Sequence, residues 1–242
     1  MRVEPISSGK GAERFEHLLY SPPKESEKAS LILLFHEYIG MDEALCTKAR
    51  ALAEKGFVVG VADLYGAEHR NLSPEKAREL LKPLRKDRFL LRERALGCAE
   101  DLVTAARRKP EEIFLLGFSL GGGGVLEMVR CGSWAGAVSV YGYLDSPARE
   151  SENSRETPLL VIHGMKDRVV PPEDLQTFLE ELERRKWHAE VTLYSGAGHG
   201  FCNPSGIPDF SRGNYYDPEY HAKAWKRILE FFESSRRVRE GR

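Results

Sequence analysis

The sequence predicts an α/β fold in which a mostly parallel central sheet carries helices on both faces. Short apolar runs alternate with segments of helical spacing along the chain. Most of these runs are continuously apolar, which is typical of strands that are covered on both faces. The runs are residues 31–35, 57–62, 113–117, 135–141, 159–163 and 191–194. No repeat, low-complexity tract or flexible linker divides them, so we expect a single domain over residues 1–242.

The helices between these runs are indicated by apolar spacing and by their first residues. Apolar residues at 175, 178, 179 and 182 follow a Pro-Pro pair, and the same spacing recurs at 225, 228, 229 and 232 after Asp217-Pro218. Ser73-Pro74 is a further helix start, and Pro83 is expected to end or kink that helix. We expect a basic helix over 87–109 and an apolar helix at 125–129.

Composition and charge exclude several classes of partner. The 36 Lys and Arg residues nearly balance the 37 Asp and Glu residues, and glutamates are interleaved with the basic stretches. We therefore expect no nucleic-acid partner and no membrane partner. The four cysteines are scattered and form no CxxC pair, which favours free thiols, no metal site and a cytoplasmic location. No motif indicates a cofactor, so we expect none. The chain is expected to be a monomer or a homodimer.

The third run continues into a Gly-x-Ser-x-Gly motif, residues 117–121, and then into an apolar helix. This strand, turn and helix context is typical of a nucleophile elbow, which predicts Ser119 as a nucleophile. A turn this tight strains its central residue, and side chains two positions before or after that residue would collide with it. A phosphate-binding loop is disfavoured because no Lys follows in the required place. An incidental serine in a Gly-rich turn is the alternative.

A serine nucleophile needs a base and a group that orients that base, and these follow the serine in this topology. Asp167 lies just after the run 159–163, and His199 lies on a Gly-flanked loop after the run 191–194. All three residues therefore leave the carboxyl ends of predicted parallel strands, where α/β sheets place their sites. Asp63 follows a strand but precedes the serine. For Asp167, an ordinary turn aspartate is the alternative.

Acyl transfer also needs hydrogen-bond donors for the oxyanion. The residue after the nucleophile, Leu120, offers one backbone N–H at the start of a helix. The second donor is expected in the loop 36–40 that follows the first run, and we assign it to the backbone N–H of Tyr38.

Five motifs together resemble the dienelactone hydrolases, which are carboxymethylenebutenolidase-like α/β hydrolases, over nearly the whole chain. They are H-E-Y-I-G at 36–40, A-D-L-Y-G at 62–66, the elbow at 117–122, H-G-x-x-D-x-x-V-P at 163–171 and G-A-G-H-G-F at 196–201. The resemblance implies the α/β-hydrolase fold, a triad at Ser119, Asp167 and His199, and backbone donors at Tyr38 and Leu120. It also implies a glutamate, here Glu37, beside the nucleophile.

Two positions depart from the best-known members of that family. Those members carry Cys at the elbow, where this chain has Ser119, and an arginine that holds the substrate carboxylate, where this chain has Asn203. The resemblance therefore implies ester hydrolysis by a serine and leaves the hydrolysis of dienelactone itself open. With a hydroxyl nucleophile, Glu37 is expected to be structural or to assist positioning.

The predicted substrate is a small soluble ester or lactone. The stretch 144–157 is short and polar, so we expect no large cap domain and an open cleft. The loop 202–217, which carries Phe210, Tyr215 and Tyr216, either walls that cleft or packs on the surface. Arg70 and Arg212 are expected to be solvated. The alternative functions are a peptidase or thioesterase on the same scaffold, and a ligand-binding relative without turnover.

Overall fold

A computed structural model describes residues 1–9, 11, 14–24, 29–109, 112–146 and 157–240, without the side chains of 238–240. Within these residues, eight strands form one sheet in the order β1-β2-β4-β3-β5-β6-β7-β8. The strands are β1 Arg2–Ser8, β2 Phe15–Ser21, β3 Leu31–Phe35, β4 Val58–Ala62, β5 Ile113–Phe118, β6 Gly136–Val140, β7 Leu159–Gly164 and β8 Ala189–Tyr194.

All six predicted strands are present as β3 to β8, and they run parallel to one another. β3 lies between β4 and β5, so that Leu33 pairs with Gly60 on one side and with Leu115 on the other. Every residue of β3 through β7 is buried. Continuous apolar runs are what strands in such a position require.

The first two strands are not among the predicted runs, and they form an antiparallel hairpin at one edge of the sheet. β2 then pairs antiparallel with β4. Residues of β1 alternate between exposed and half-buried, and the strand contains charged residues and a proline. An edge strand of this kind lacks the continuous apolar run that marks the inner strands.

The described part of the chain contains six α-helices, and five of them were expected. They are α1 Glu43–Glu54, α2 Pro74–Lys86, α3 Arg88–Ala106, α4 Leu120–Cys131, α5 Pro172–Arg185 and α6 Pro218–Glu240. The unexpected helix α1 is capped by Asp42, whose side chain accepts from the Leu45 N–H at 2.8 Å. α2 runs through Pro83 to Lys86, so of the two expected effects of Pro83, an end or a kink, the end is wrong. α3 ends at Ala106, three residues before the expected limit, because Arg107 adopts a left-handed conformation.

The helices cover both faces of the sheet, as predicted. Alternate residues of β3 point to opposite sides: Leu31 and Leu33 join one apolar core, and Ile32 and Leu34 join the other. The first core includes residues of α2, α3, α4 and α5, and the second includes residues of α1 and α6. No helix within the described ranges is long and apolar enough to cross a membrane. Of the stretch 144–157, residues 147–156 lie outside the described residues.

Candidate active site

Ser119 occupies a sharp turn between β5 and α4. Its backbone has φ 50° and ψ −111°, a strained conformation for a residue with a side chain. The Ser119 N–H donates to the Val140 carbonyl at 3.0 Å, which fixes the turn against β6. A methyl group at Gly117 would overlap the backbone of Gly121, and one at Gly121 would overlap the Phe35 carbonyl oxygen. Both glycines are therefore required by the close approach of backbone that this turn imposes.

The side chains of Ser119, His199 and Asp167 form one continuous hydrogen-bonded chain. The Ser119 Oγ lies 2.8 Å from His199 Nε2, and His199 Nδ1 lies 2.7 Å from Asp167 Oδ2. All three residues are buried. Asp167 follows β7 and His199 follows β8, so that the strand order brings together residues up to 80 positions apart.

Backbone hydrogen bonds hold the Asp167 carboxylate in place. Its Oδ1 accepts from the N–H groups of Val169 and Val170 at 2.8 and 3.0 Å, while its Oδ2 faces His199. Burial alone would raise the pKa of Asp167, but the adjacent His199 outweighs it and the pKa of this carboxyl lies below its usual value. Asp167 is therefore ionised at neutral pH, and its charge is directed at His199 Nδ1.

A second histidine, His163, lies next to the same carboxylate without joining the chain. Its Nε2 is 3.7 Å from Asp167 Oδ2, which is beyond hydrogen-bonding distance. Burial lowers the pKa of His163 to about 4. The ring is therefore neutral at physiological pH and does not compete with His199 for the charge of Asp167.

The loop 202–217 fixes the backbone of His199 on both sides. The His199 N–H donates to the Gly213 carbonyl at 2.5 Å, and the Tyr215 N–H donates to the His199 carbonyl at 3.0 Å. The Arg168 N–H donates to the Arg212 carbonyl at 3.1 Å, which ties the same loop to the segment that carries Asp167. Phe210 is 77% exposed at the surface of this loop. The loop therefore lies on the outer side of the site and holds the backbone at His199 and at Arg168 by hydrogen bonds.

The two predicted oxyanion donors are backbone amides near the elbow. Leu120 is the first residue of α4, where a helix leaves its N–H groups without intrahelical acceptors. Tyr38 lies in the loop after β3, and the Gly121 N–H donates to the His36 carbonyl at 2.9 Å, which joins this loop to the start of α4. Among the described residues, neither the Leu120 N–H nor the Tyr38 N–H has a hydrogen-bond acceptor. Both N–H groups are therefore available to donate a hydrogen bond to a bound oxygen atom.

Glu37 is buried beside the site, and both of its carboxylate oxygens are held by other side chains. The Tyr141 hydroxyl donates to Oε1 at 2.9 Å, and the Asn203 amide donates to Oε2 at 3.1 Å. Burial raises the pKa of Glu37, and the charge of Lys48 partly offsets this. No hydrogen bond joins Glu37 to Ser119 in the part of the chain that the structure describes. This arrangement favours a positioning role.

Tyr143 is a site residue that the sequence did not predict; it lies just beyond β6 and is buried against the site. Its ring stacks on the His199 ring with centroids 6.4 Å apart, and its hydroxyl lies near the Ser119 side chain. The Arg85 guanidinium lies 4.4 Å from the centre of the same ring. Neither spacing nor a local motif marks Tyr143, because its proximity to Ser119 arises only from the tertiary fold.

Three further expectations concern arginines and cysteines. Arg70 is expected to be solvated, but the structure contradicts this, because its Nη1 lies 3.3 Å from the buried Asp63 carboxylate. Arg212 is exposed. All four cysteines are free thiols; Cys98 and Cys202 are buried, and the other two are half-buried. The described residues contain no cluster of three or more side chains arranged to hold a metal ion.

A profile of the dienelactone hydrolase family matches residues 15–235. An Escherichia coli K12 protein described as a candidate carboxymethylenebutenolidase is 28% identical over 107 residues, which is 42% of this chain and 35% of that protein. This match therefore spans about a third of the relative's length. A Salmonella typhimurium LT2 protein with the same description is 24% identical over 230 residues, which is 88% of this chain and 80% of that protein.

A solved structure shows the same similarity over nearly the whole chain. The structure named m3DLH is 25% identical and superimposes with a TM-score of 0.86, covering 97% of this chain and 98% of its own. The family profile extends over most of the sequence and includes all three residues of the hydrogen-bonded chain. The chain belongs to the dienelactone hydrolase family.

Proposed function

We propose that this chain is a serine hydrolase that cleaves carboxylic esters or lactones of small soluble substrates through an acyl-enzyme on Ser119. The observation that carries the proposal is the hydrogen-bonded chain from Ser119 through His199 to Asp167, set on a strained turn at the end of β5. Membership in the dienelactone hydrolase family supports ester or lactone hydrolysis as the reaction.

In the proposed acylation step, His199 is the general base. Its Nδ1 lies 2.7 Å from an ionised carboxylate, so that the proton sits on Nδ1 and Nε2 is free to accept the Ser119 proton. The Ser119 oxygen then attacks the substrate carbonyl carbon. Collapse of the tetrahedral intermediate breaks the bond to the leaving oxygen, which takes the proton from His199 Nε2.

Deacylation repeats the same proton transfers with water as the nucleophile. His199 accepts a proton from the water, the hydroxide attacks the acyl carbon, and the Ser119 oxygen leaves with the proton from Nε2. In both steps negative charge develops on the carbonyl oxygen, and we assign the N–H groups of Leu120 and Tyr38 as its donors. Loss of one such donor typically slows acyl transfer about 10²–10³-fold.

The reaction is tested with Ser119→Ala and with Ser234→Ala as a matched control, since the Ser234 hydroxyl bonds the Phe231 carbonyl within α6. We expect Ser119→Ala to lose hydrolysis of p-nitrophenyl acetate and of a simple lactone, whereas Ser234→Ala retains it. Full turnover by Ser119→Ala would show that another group is the nucleophile.

A second measurement separates the proposed reaction from its alternatives. Matched esters, thioesters and anilides of one short acid are compared by kcat/KM with the unmodified protein. Faster hydrolysis of the ester supports the proposal. A preference for the thioester or the anilide would instead assign a thioesterase or a peptidase, and the absence of any turnover would support a binding protein.

A further inference from the structure

His36 is a fully buried histidine that takes no part in the hydrogen-bonded chain of the site. It follows β3 directly and stands before Glu37 and Tyr38, at the start of the loop that carries one proposed oxyanion donor. A buried imidazole is costly unless its nitrogens find partners. Both nitrogens of His36 have one.

The partners of His36 define its tautomer. The backbone N–H of Leu64 points at Nε2 at 3.1 Å, so Nε2 must be an unprotonated acceptor. The Nδ1 lies 2.6 Å from the carbonyl oxygen of Glu37, which only accepts, so Nδ1 must carry the proton. Burial lowers the pKa of His36, which keeps the ring in this neutral form at physiological pH.

The hydrogen bond from Nδ1 fixes the plane of the peptide between Glu37 and Tyr38. The same Glu37 oxygen also accepts from the Gly40 N–H at 3.1 Å. The described peptide bonds are all trans, so the Tyr38 N–H points away from the Glu37 oxygen. Turning this peptide over would break both bonds and would replace a donor in the site by a carbonyl oxygen.

The segment after β4 holds His36 from its other side. The ring of Tyr65 packs on the imidazole with centroids 4.7 Å apart, and the Tyr65 hydroxyl donates to the Tyr38 carbonyl at 2.8 Å. The N–H groups of Tyr65 and Gly66 in turn donate to the buried Asp63 carboxylate at 3.1 and 2.9 Å. The segment 62–66 thus fixes the loop 36–40.

We propose that His36 is a positioning residue whose Nδ1–H holds the peptide between Glu37 and Tyr38 so that the Tyr38 N–H faces the oxyanion. The proposal rests on the acyl-transfer function proposed above. His36 is fully buried, its two ring nitrogens bond backbone groups of Glu37 and Leu64, and it therefore acts through the backbone.

Two variants of His36 separate its two hydrogen bonds. In His36→Asn the amide nitrogen takes the place of Nδ1 and can donate to the Glu37 oxygen, but it does not reach Leu64. In His36→Gln the longer side chain can accept from the Leu64 N–H and leaves the Glu37 oxygen without this donor. Both variants lose the ring that packs on Tyr65, so they are matched for lost aromatic contact.

We expect kcat for p-nitrophenyl acetate to fall about 10²–10³-fold in His36→Gln, and far less in His36→Asn, because loss of one oxyanion donor has an effect of that size. KM should change little in either variant. Binding of a trifluoromethyl ketone, which forms an oxyanion on Ser119, should weaken in His36→Gln by the same factor as kcat/KM falls. The thermal midpoint is measured for both variants.

Equal losses of kcat in the two variants, or losses that follow the thermal midpoint, would overturn the proposal. A measurement on the unmodified protein covers the case in which neither variant folds. Long-range ¹H–¹⁵N spectra at pH 7.5 should show His36 with its proton on Nδ1, and a proton on Nε2 would overturn the proposal. Failure of a fluorophosphonate to label Ser119 in the unmodified protein would contradict the proposed function instead.

Discussion

Replacing Asp167 by asparagine should nearly abolish turnover without disturbing the shape of the site. The Oδ1 of Asp167 accepts from two backbone N–H groups, so the asparagine oxygen must occupy that position and its amide NH₂ must face His199. An NH₂ group donates to Nδ1 and forces the His199 proton onto Nε2. His199 then has no free nitrogen with which to accept the proton of Ser119.

The expected loss is about 10⁴-fold in kcat, or about 5 kcal/mol of transition-state stabilisation, as for the wrong tautomer in other Ser-His-Asp enzymes. Steady-state hydrolysis of p-nitrophenyl acetate measures it. Asp101→Asn is the matched control, because Asp101 lies on α3 and bonds a buried histidine of β2, His17, at 3.3 Å. Activity of Asp167→Asn within tenfold of the unmodified protein, with Asp101→Asn equally active, would refute this reasoning.

Three further outcomes follow from the structure. Gly121→Ala should lower the free energy of unfolding, measured in urea, by about 3 kcal/mol, since its methyl group would overlap the Phe35 backbone. Gly97→Ala is the control, because Gly97 lies in open space within α3, and it should raise the free energy of unfolding by about 0.5–1 kcal/mol. Equal effects of the two substitutions would contradict this expectation. Glu37→Gln should reduce thermal stability, because the buried Glu37 carboxylate bonds other side chains and not the nucleophile. Its kcat/KM for a short ester should stay within about tenfold of that of the unmodified protein. A loss of kcat/KM of about 10³-fold at unchanged stability would assign Glu37 a catalytic role. The pKa of His163 in the folded protein, about 4, lies below its unfolded value of 6.5. Unfolding therefore takes up a proton between pH 4 and pH 6.5, and the free energy of unfolding should fall by about 3 kcal/mol from pH 6.5 to pH 4. In His163→Leu the slope of unfolding free energy against pH should be smaller there, and an unchanged slope would contradict this.

The features of the fold and of the site that could be predicted are those formed by residues near one another in sequence. Ser119 can be predicted as a nucleophile because the strand, the tight turn and the helix are adjacent along the chain, and the strained φ of 50° confirms the predicted turn. Asp167 and His199 were placed by their positions after β7 and β8, since parallel strands bring their carboxyl ends to one edge. The edge strand β1 was missed because its residues are partly exposed and polar.

Residues that act through the tertiary fold left no local pattern. Tyr143 reaches Ser119 only because β6 lies beside β5. His36 has no spacing that marks it, because its Nε2 accepts from the Leu64 N–H only where β3 and β4 lie side by side. Spacing along the chain carries no information on such contacts.

The most direct measurement of the central claim is the site of covalent modification by an active-site reagent. The unmodified protein is treated with a fluorophosphonate, digested, and mapped by mass spectrometry. A single adduct on Ser119, lost in His199→Ala, is the result that the proposed hydrogen-bonded chain predicts. An adduct on another residue, or equal labelling of Ser119 in His199→Ala, would contradict it.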